Sequence, residues 1–291
     1  MKTLDEKIPS LLFEYSISAA SDELLASPRL VLETIGFKHD EISETCEKKR
    51  WTLKVFTEDK KQIEVLKKLF ARLKLPGIKL SSKSLKPSQW LTRWKTQWKP
   101  LSFTKKLDVV PYWYKGKYKT SKEIIYLDTL MSFGTGMHET TQRIAQLIED
   151  NRSRLTSFLD IGTGTGILAI AALKLGAKKV VAMDISPLSV EATKANLKVN
   201  GLTAKVFKGD IAKLPAREKY QIVAANLITD DLIRNCPQIV DLVEPGGLLM
   251  ISGISLDNLK RLQQGFKHQT ITCRKVSKGE QWAAILYVKK M

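Results

Sequence analysis

The chain has 291 residues, of which 43% are hydrophobic, and a formal charge of +18. That length suits one large domain with a smaller one, and no apolar run approaches the roughly 18 residues of a membrane span. Cys46, Cys236 and Cys273 are odd in number and scattered, so neither disulfides nor a metal site is expected.

In chain order, the first ten residues carry Asp5, Glu6 and Lys7 where an export signal would need an apolar core, so a cytoplasmic protein is expected. Residues 1–85 read as a small α/β domain. Residues 11–17 are a strand candidate, and Ser21-Asp22-Glu23 predicts a helix start with Ser21 as N-cap. Residues 51–56 alternate like a half-buried strand. Ile63, Leu66, Leu69, Phe70 and Leu73 share one helical face, and Pro76-Gly77 stops that helix. Strands alternating with two helices suggest a ferredoxin-like sandwich.

Residues 86–100 form a helical linker in which Trp90, Trp94 and Trp98 recur at helical spacing. Burial against a neighbouring domain explains such a stripe more simply than base stacking does. Between Lys67 and Lys122 stand sixteen Lys or Arg and one acid, Asp108, which places +15 of the +18 there. This segment is either a contact for ribosomal RNA or another nucleic acid, or a solvated helix and linker.

From 101 to 291 the pattern is α/β. A strand over 158–161 leads to a helix over 167–175 that Gly176 ends. A strand over 180–184 is followed by Ser186-Pro187 as N-cap and first helical residue, and that helix closes at Asn200-Gly201. Further strands are predicted over 204–207, 221–225 and, after a Pro245-Gly246-Gly247 turn, 248–252. Residues 270–276 and 282–288 alternate around Lys278-Gly279 as a hairpin. The expected fold is a Rossmann-like parallel sheet flanked by helices, with an antiparallel C-terminal hairpin at its edge.

Ligands of such sheets sit at the carboxyl ends of the strands. There the sequence places Asp160, then the turn Gly162-Thr163-Gly164-Thr165-Gly166, then Asp184 with Ile185, 18 positions past the last glycine. A carboxylate so placed can grip two ribose hydroxyls. The glycines fall at positions one, three and five, not at one, three and six as a dinucleotide fingerprint requires, and Asp160 would repel a pyrophosphate. S-adenosyl-L-methionine carries an ammonium and a sulfonium and no phosphate, so it is the expected cofactor. Asp210 stands where it can accept from an adenine amino group or cap the helix that follows.

Phe133-Gly134-Thr135-Gly136-Met137-His138-Glu139-Thr140-Thr141 resembles the Phe-Gly-Thr-Gly-x-His-x-Thr-Thr loop of PrmA, the bacterial methyltransferase family that modifies the eleventh protein of the large ribosomal subunit. The resemblance extends over 90–291 through Pro111 and Trp113, Asp160–Gly166, Asn226-Leu227-Ile228, Ser252-Gly253-Ile254 and Gly279-Glu280-Gln281-Trp282. It implies a class I, S-adenosylmethionine-dependent protein N-methyltransferase acting on α-amino and lysine ε-amino groups of that ribosomal protein. It also implies an N-terminal domain that grips the substrate and a linker that lets the catalytic domain reach different amines. By position, Phe133, Thr135, Gly136 and Thr141 would close on the methionine end of the cofactor, and Asn226 would receive the amine.

The residues suit that chemistry. Displacement at a sulfonium methyl rests on alignment, but a lysine of pKa near 10.4 costs about 4–5 kcal/mol to neutralise at pH 7. The Asn226 carbonyl and the Leu227 backbone carbonyl can accept the amine's hydrogens, whereas an aspartate would hold the ammonium charged. His138 is a candidate base or a structural hydrogen-bonding group. The rival readings are an RNA methyltransferase and a non-catalytic ribosome-binding protein on the same fold. Asn226-Leu227-Ile228 lacks the aromatic that stacks a flipped base, and Asp160, Asp184 and Asn226 are all in place. A monomer is expected.

Overall fold

The computed structural model describes residues 12–37, 42–47, 50–57, 59–85, 98–128, 135–211 and 218–291. The chain divides into two units, Met1–Trp98 and Lys99–Met291. Among the described residues no helix is long and apolar enough to cross a membrane.

The first unit runs β1 (Leu12–Ala19), α1 (Ala26–Thr34), β2 (Ile42–Glu47), β3 (Arg50–Thr57), α2 (Lys60–Leu73) and β4 (Lys79–Leu85). Its sheet has the order β2-β3-β1-β4 with every neighbouring pair antiparallel. The register sets Tyr15 beside Val55 and Ile17 beside Leu53. These four pack with Leu25, Leu32 and, from α2, Ile63, Leu66 and Phe70, each burial contributing about 1.5–3 kcal/mol. Asp59 caps α2 by accepting from Lys61 N–H at 2.8 Å.

Ser21 does not start the first helix. A 3-10 turn over Glu23–Leu25 precedes α1, and Asp22 takes the Arg29 guanidinium at 2.9 Å instead of capping. Trp90 and Trp94 lie outside the described residues; Trp98 is buried. Within the basic segment, Lys67 pairs with Glu64, Lys83 with Glu14 and Lys122 with Asp108.

The second unit opens with β5 (Leu101–Ser102), β6 (Leu107–Pro111) and β7 (Glu123–Leu127), a small sheet in that order. Next come α3 (Glu139–Asp150), β8 (Ser157–Ile161), α4 (Ile167–Lys174), β9 (Lys179–Asp184), α5 (Pro187–Val199), β10 (Lys205–Lys208) and β11 (Tyr220–Asn226). The chain ends with α6 (Thr229–Arg234), α7 (Cys236–Asp241), β12 (Val243–Ser255), α8 (Leu259–Gly265), β13 (Ile271–Lys278) and β14 (Trp282–Lys289).

Strands β8 to β14 form one mixed sheet in the order β10-β9-β8-β11-β12-β14-β13. The first five strands are parallel, and the hairpin adds β14 and β13 antiparallel at one edge. This is a Rossmann-like arrangement, and its order reverses between β8 and β11, which opens a crevice at their carboxyl ends. The central parallel strands are apolar runs buried on both faces, as in Phe158, Leu159 and Ile161 of β8, whereas the edge strand β10 is partly exposed. Helix α4 is buried from Ile167 to Ala172 because it is apolar all round. As the sequence predicts, Ser186 caps α5 and Pro187 opens it. Pro245-Gly246-Gly247 is not a free turn. It lies inside β12, where the register with β11 shifts and Gly246 takes a φ of 73°.

Candidate functional site

At the tip of β8 the chain must turn sharply into α4, and Gly162, Gly164 and Gly166 take φ values of 72°, 56° and 82° to do so. The turn closes on its own backbone and on β9. Gly162 and Thr163 N–H donate to the Met183 carbonyl at 2.9 and 3.0 Å, and Gly166 N–H to the Thr163 carbonyl at 2.8 Å. Gly164 N–H donates to Asp184 Oδ2 at 3.0 Å, while Asp184 Oδ1 accepts from Ser186 N–H at 2.9 Å. These four amides are therefore spent, and a pyrophosphate would find none of them to cradle it.

Asp160 is 1% exposed. Its Oδ2 accepts from the Thr163 hydroxyl at 2.7 Å, and its Oδ1 has no hydrogen-bond partner among the described residues. Burial pushes this carboxyl up to about 7 against the Thr163 and Ala169 hydrogen bonds, and the Asp184 charge adds to the rise. A buried acid with one unused oxygen beside a second acid is a site for a cation. Asp210, exposed, follows Gly209, whose N–H donates to the Asp184 carbonyl at 3.0 Å.

The second glycine segment meets the first. Phe133 lies outside the described residues, but Gly136, at a φ of 80°, is so close to α4 that a Cβ there would stand 2.9 Å from Ile167 Cδ1. Gln142 of α3 donates to the Gly136 and Met137 carbonyls at 3.1 and 3.2 Å and holds this segment down. Thr135 Oγ1 accepts from Met137 N–H at 3.3 Å.

Helix α3 begins with His138 as its N-cap, Nδ1 accepting from Thr140 N–H. The Thr140 hydroxyl lies 2.7 Å from the same nitrogen, and the ring packs edge-on to Trp282 at 4.9 Å. Burial lowers the His138 pKa despite the adjacent Glu139, so the ring is neutral at pH 7 with Nδ1 as acceptor. The Thr140 hydroxyl then donates to His138 and offers its lone pairs to Asn226 Nδ2 at 3.2 Å, with Thr141 Oγ1 at 3.4 Å. This chain commits the Asn226 nitrogen to the two threonines, and among the described residues no donor takes Oδ1, which is left as the acceptor end. Leu227 N–H donates to the Ser252 carbonyl at 3.2 Å, and the Leu227 carbonyl rests directly over Gly253, where a Cβ would meet it at 2.0 Å. The Leu227 side chain covers Gly162 in the same way, a Cβ there lying 2.6 Å from Leu227 Cδ2.

Glu139, the first residue of α3, latches the β13–β14 turn. Its carboxylate accepts from the N–H groups of Glu280, Gln281 and Trp282 at 2.9, 3.2 and 3.1 Å and from Arg143 at 2.7 Å. Gly279 is required beneath it, since a Cβ would fall 1.3 Å from Glu139 Oε1. Burial raises the Glu139 pKa, but Arg143 and the three amides outweigh it and hold the group at about 2. Its native pKa lies below the unfolded value, so its stabilisation is complete above pH 4.5 and lost as the pH falls toward 2. We expect Glu139→Gln to lower the unfolding free energy at pH 7 by about 1–3 kcal/mol, with the gap to wild type narrowing between pH 4.5 and 3. Denaturant melts at both ends of that range test this; an equal gap at both would remove the charge from the explanation.

Apart from Phe133, the sequence-selected residues lie on segments that these contacts join at the carboxyl ends of β8, β9, β10 and β11. Ile185, 71% exposed, projects from the end of β9. Thr140, Gln142 and Glu139 stood within or beside the second motif but had no assigned work. Thr193 and Asn196 of α5 were overlooked altogether, and Asn200, its C-cap, was read only as the end of the helix. Their signal was polar residues at i, i+3 and i+7 on a helix face that also carries Val190 and Leu197.

Residues 11–290 match a family model described as ribosomal protein L11 methyltransferase (PrmA). The ribosomal protein L11 methyltransferase of Pelobacter propionicus is 33% identical over 271 residues, covering 88% of this chain and 86% of that protein. That of Thermoanaerobacter pseudethanolicus is 35% identical over 235 residues, covering 79% and 76%. A crystal structure of ribosomal protein L11 methylase from Lactobacillus delbrueckii subsp. bulgaricus superimposes with a TM-score of 0.60 at 30% identity, covering 67% of this chain and all of that one.

Proposed function

Since the chain belongs to the ribosomal protein L11 methyltransferase family, we propose that it methylates α-amino and lysine ε-amino groups of ribosomal protein L11 with S-adenosyl-L-methionine as donor. One observation carries the reading: Asn226, at the tip of β11, has its nitrogen held by Thr140 and Thr141 and its carbonyl oxygen left to accept. An amine whose hydrogens point at Asn226 Oδ1 and the Leu227 carbonyl has its lone pair aimed away from them, and a neutral acceptor favours the uncharged amine. His138 serves as cap and hydrogen-bond acceptor in this scheme, not as base.

The site residues suit the cofactor. Asp160 Oδ1 has no hydrogen-bond partner among the described residues and would take the ammonium. Gly162, Thr163, Gly164 and Gly166 shape the floor, Asp184 would hold the ribose hydroxyls, Ile185 would flank the adenine and Asp210 would accept from its amino group. Phe133, Thr135, Gly136 and Thr141 would cover the methionine end. When bound, S-adenosylmethionine supplies a methyl group on a positively charged sulfur.

This placement has a protonic consequence. Asp160 stays protonated up to about pH 7, and a cation beside Oδ1 would ionise it. Binding S-adenosyl-L-homocysteine at pH 6 should therefore release protons, and fewer at pH 8.5. Titration calorimetry in two buffers of different ionisation enthalpy measures this; a binding enthalpy that ignores the buffer at pH 6 would take Asp160 off the ammonium.

We read the N-terminal unit as a ferredoxin-like substrate-gripping domain, supported by its βαββαβ order and the β2-β3-β1-β4 sheet. The basic segment 67–122 is our candidate for contact with ribosomal RNA near the substrate, and a ribosomal substrate implies a cytoplasmic enzyme. The test is to incubate the protein with labelled S-adenosylmethionine and ribosomes, then separate protein from RNA. Label in L11 is expected; label in RNA alone, or nowhere, overturns the reading.

A further inference from the structure

Among the described residues strand β7 is an edge strand, paired only with β6, and in sequence it leads toward the second glycine segment. Its outer backbone groups need partners, and α5 supplies them. Asn200 Oδ1 accepts from Tyr126 N–H at 2.9 Å and its Nδ2 donates to the Tyr126 carbonyl at 2.7 Å, as a neighbouring strand would. Asn196 Oδ1 accepts from Asp128 N–H at 2.8 Å.

The same helix face grips the first glycine turn. Asn196 Nδ2 donates to the Thr165 carbonyl at 2.9 Å, and the Thr193 hydroxyl to the Gly164 carbonyl at 3.0 Å. Gly166 is fitted against this face, since a Cβ there would lie 2.7 Å from Thr193 Cγ2. Thr193 and Asn196 are both fully buried. A buried amide that spends its donor on one loop and its acceptor on the stem of another fixes the distance between them.

We propose that Asn196, seconded by Asn200, is a positioning residue that couples the two glycine segments, so that a ligand seated on 160–166 also orders 135–141. This rests on the cofactor reading above. An apolar side chain could fill the same volume, but it would lose both hydrogen bonds, the one to the Thr165 carbonyl and the one from the Asp128 N–H.

The test uses the full chain, S-adenosyl-L-homocysteine as probe, calorimetric affinity and amide hydrogen exchange, below the melting transition of each variant. In the wild type the probe should slow exchange over both 160–166 and 135–141. In Asn196→Ala affinity should fall about tenfold, with protection gained over 160–166 only. If that variant does not fold, Asn200→Ala, which frees only the β7 stem, should lose about threefold in affinity and the protection over 135–141. A lower melting temperature with affinity within about twofold of wild type and protection in both segments overturns the proposal and leaves the cofactor reading standing. A wild type that does not bind the probe overturns both.

Discussion

Asn226→Ala should lower methyl transfer to ribosomal protein L11 by about two to three orders of magnitude while changing the affinity for S-adenosyl-L-homocysteine by less than about threefold. The asymmetry follows from where the side chain is tied. Asn226 Nδ2 reaches Thr140 and Thr141 on α3, and none of its hydrogen bonds goes to Asp160, Asp184 or the glycine turn. Removing it would take away the acceptor proposed to aim the amine and leave Asp160 and Asp184, proposed to hold the ammonium and the ribose, untouched. Asn226→Asp is the sharper control. A carboxylate there would stabilise the ammonium form of the substrate, and a lysine already needs about 4–5 kcal/mol to lose its proton at pH 7. Its activity should recover with rising pH more steeply than that of wild type. Steady-state rates on L11 and calorimetry on the same preparations decide the matter. A parallel loss of cofactor affinity in Asn226→Ala would move the residue from amine recognition to cofactor binding.

Those ties also show what could be read from the sequence and what could not. The parallel strands were legible because each holds a short apolar run, closed by Gly162 after β8, by Asp184 in β9 and by Asn226 in β11. Helix α5 was legible because Ser186-Pro187 and Asn200-Gly201 punctuate both ends. Strand β2 was not, because Ile42–Glu47 is polar and its strand character comes from pairing with β3, not from burial. Strand β4 is exposed on nearly every residue and carries no alternation to detect. Helix α3 hid behind the loop motif that it completes. The first glycine turn and its two acids could be named from spacing, and the second glycine segment and Asn226 from the family resemblance, but their mutual contacts could not. Nothing in the spacing tells that Glu139 meets the amides of 280–282, or that two asparagines of α5 stand in for a missing strand beside β7. Those contacts join residues about 70 to 140 positions apart, and only the folded sheet brings them into range.

Asp184→Ala should weaken binding of S-adenosyl-L-homocysteine by about a hundredfold or more, since the two charge-assisted hydrogen bonds to a ribose proposed for it would be lost together. The carboxylate also braces the site through Gly164 and Ser186 N–H, so its removal frees the turn as well as the ribose contact. The two acids can be told apart by the ligand. 5′-Methylthioadenosine keeps the adenine and ribose but has no ammonium, so Asp184→Ala should weaken it by a factor similar to that for S-adenosyl-L-homocysteine. Asp160→Asn, by contrast, should weaken the ligand that carries the ammonium and spare the one that lacks it. The substitutions are also linked through charge. Asp184 helps to raise Asp160, so in Asp184→Ala the Asp160 pKa should fall and the proton release at pH 6 should shrink. If Asp184→Ala weakened only the ammonium-bearing ligand, the acid on β9 would belong to the amino-acid end, and the orientation assigned to the cofactor would have to be reversed.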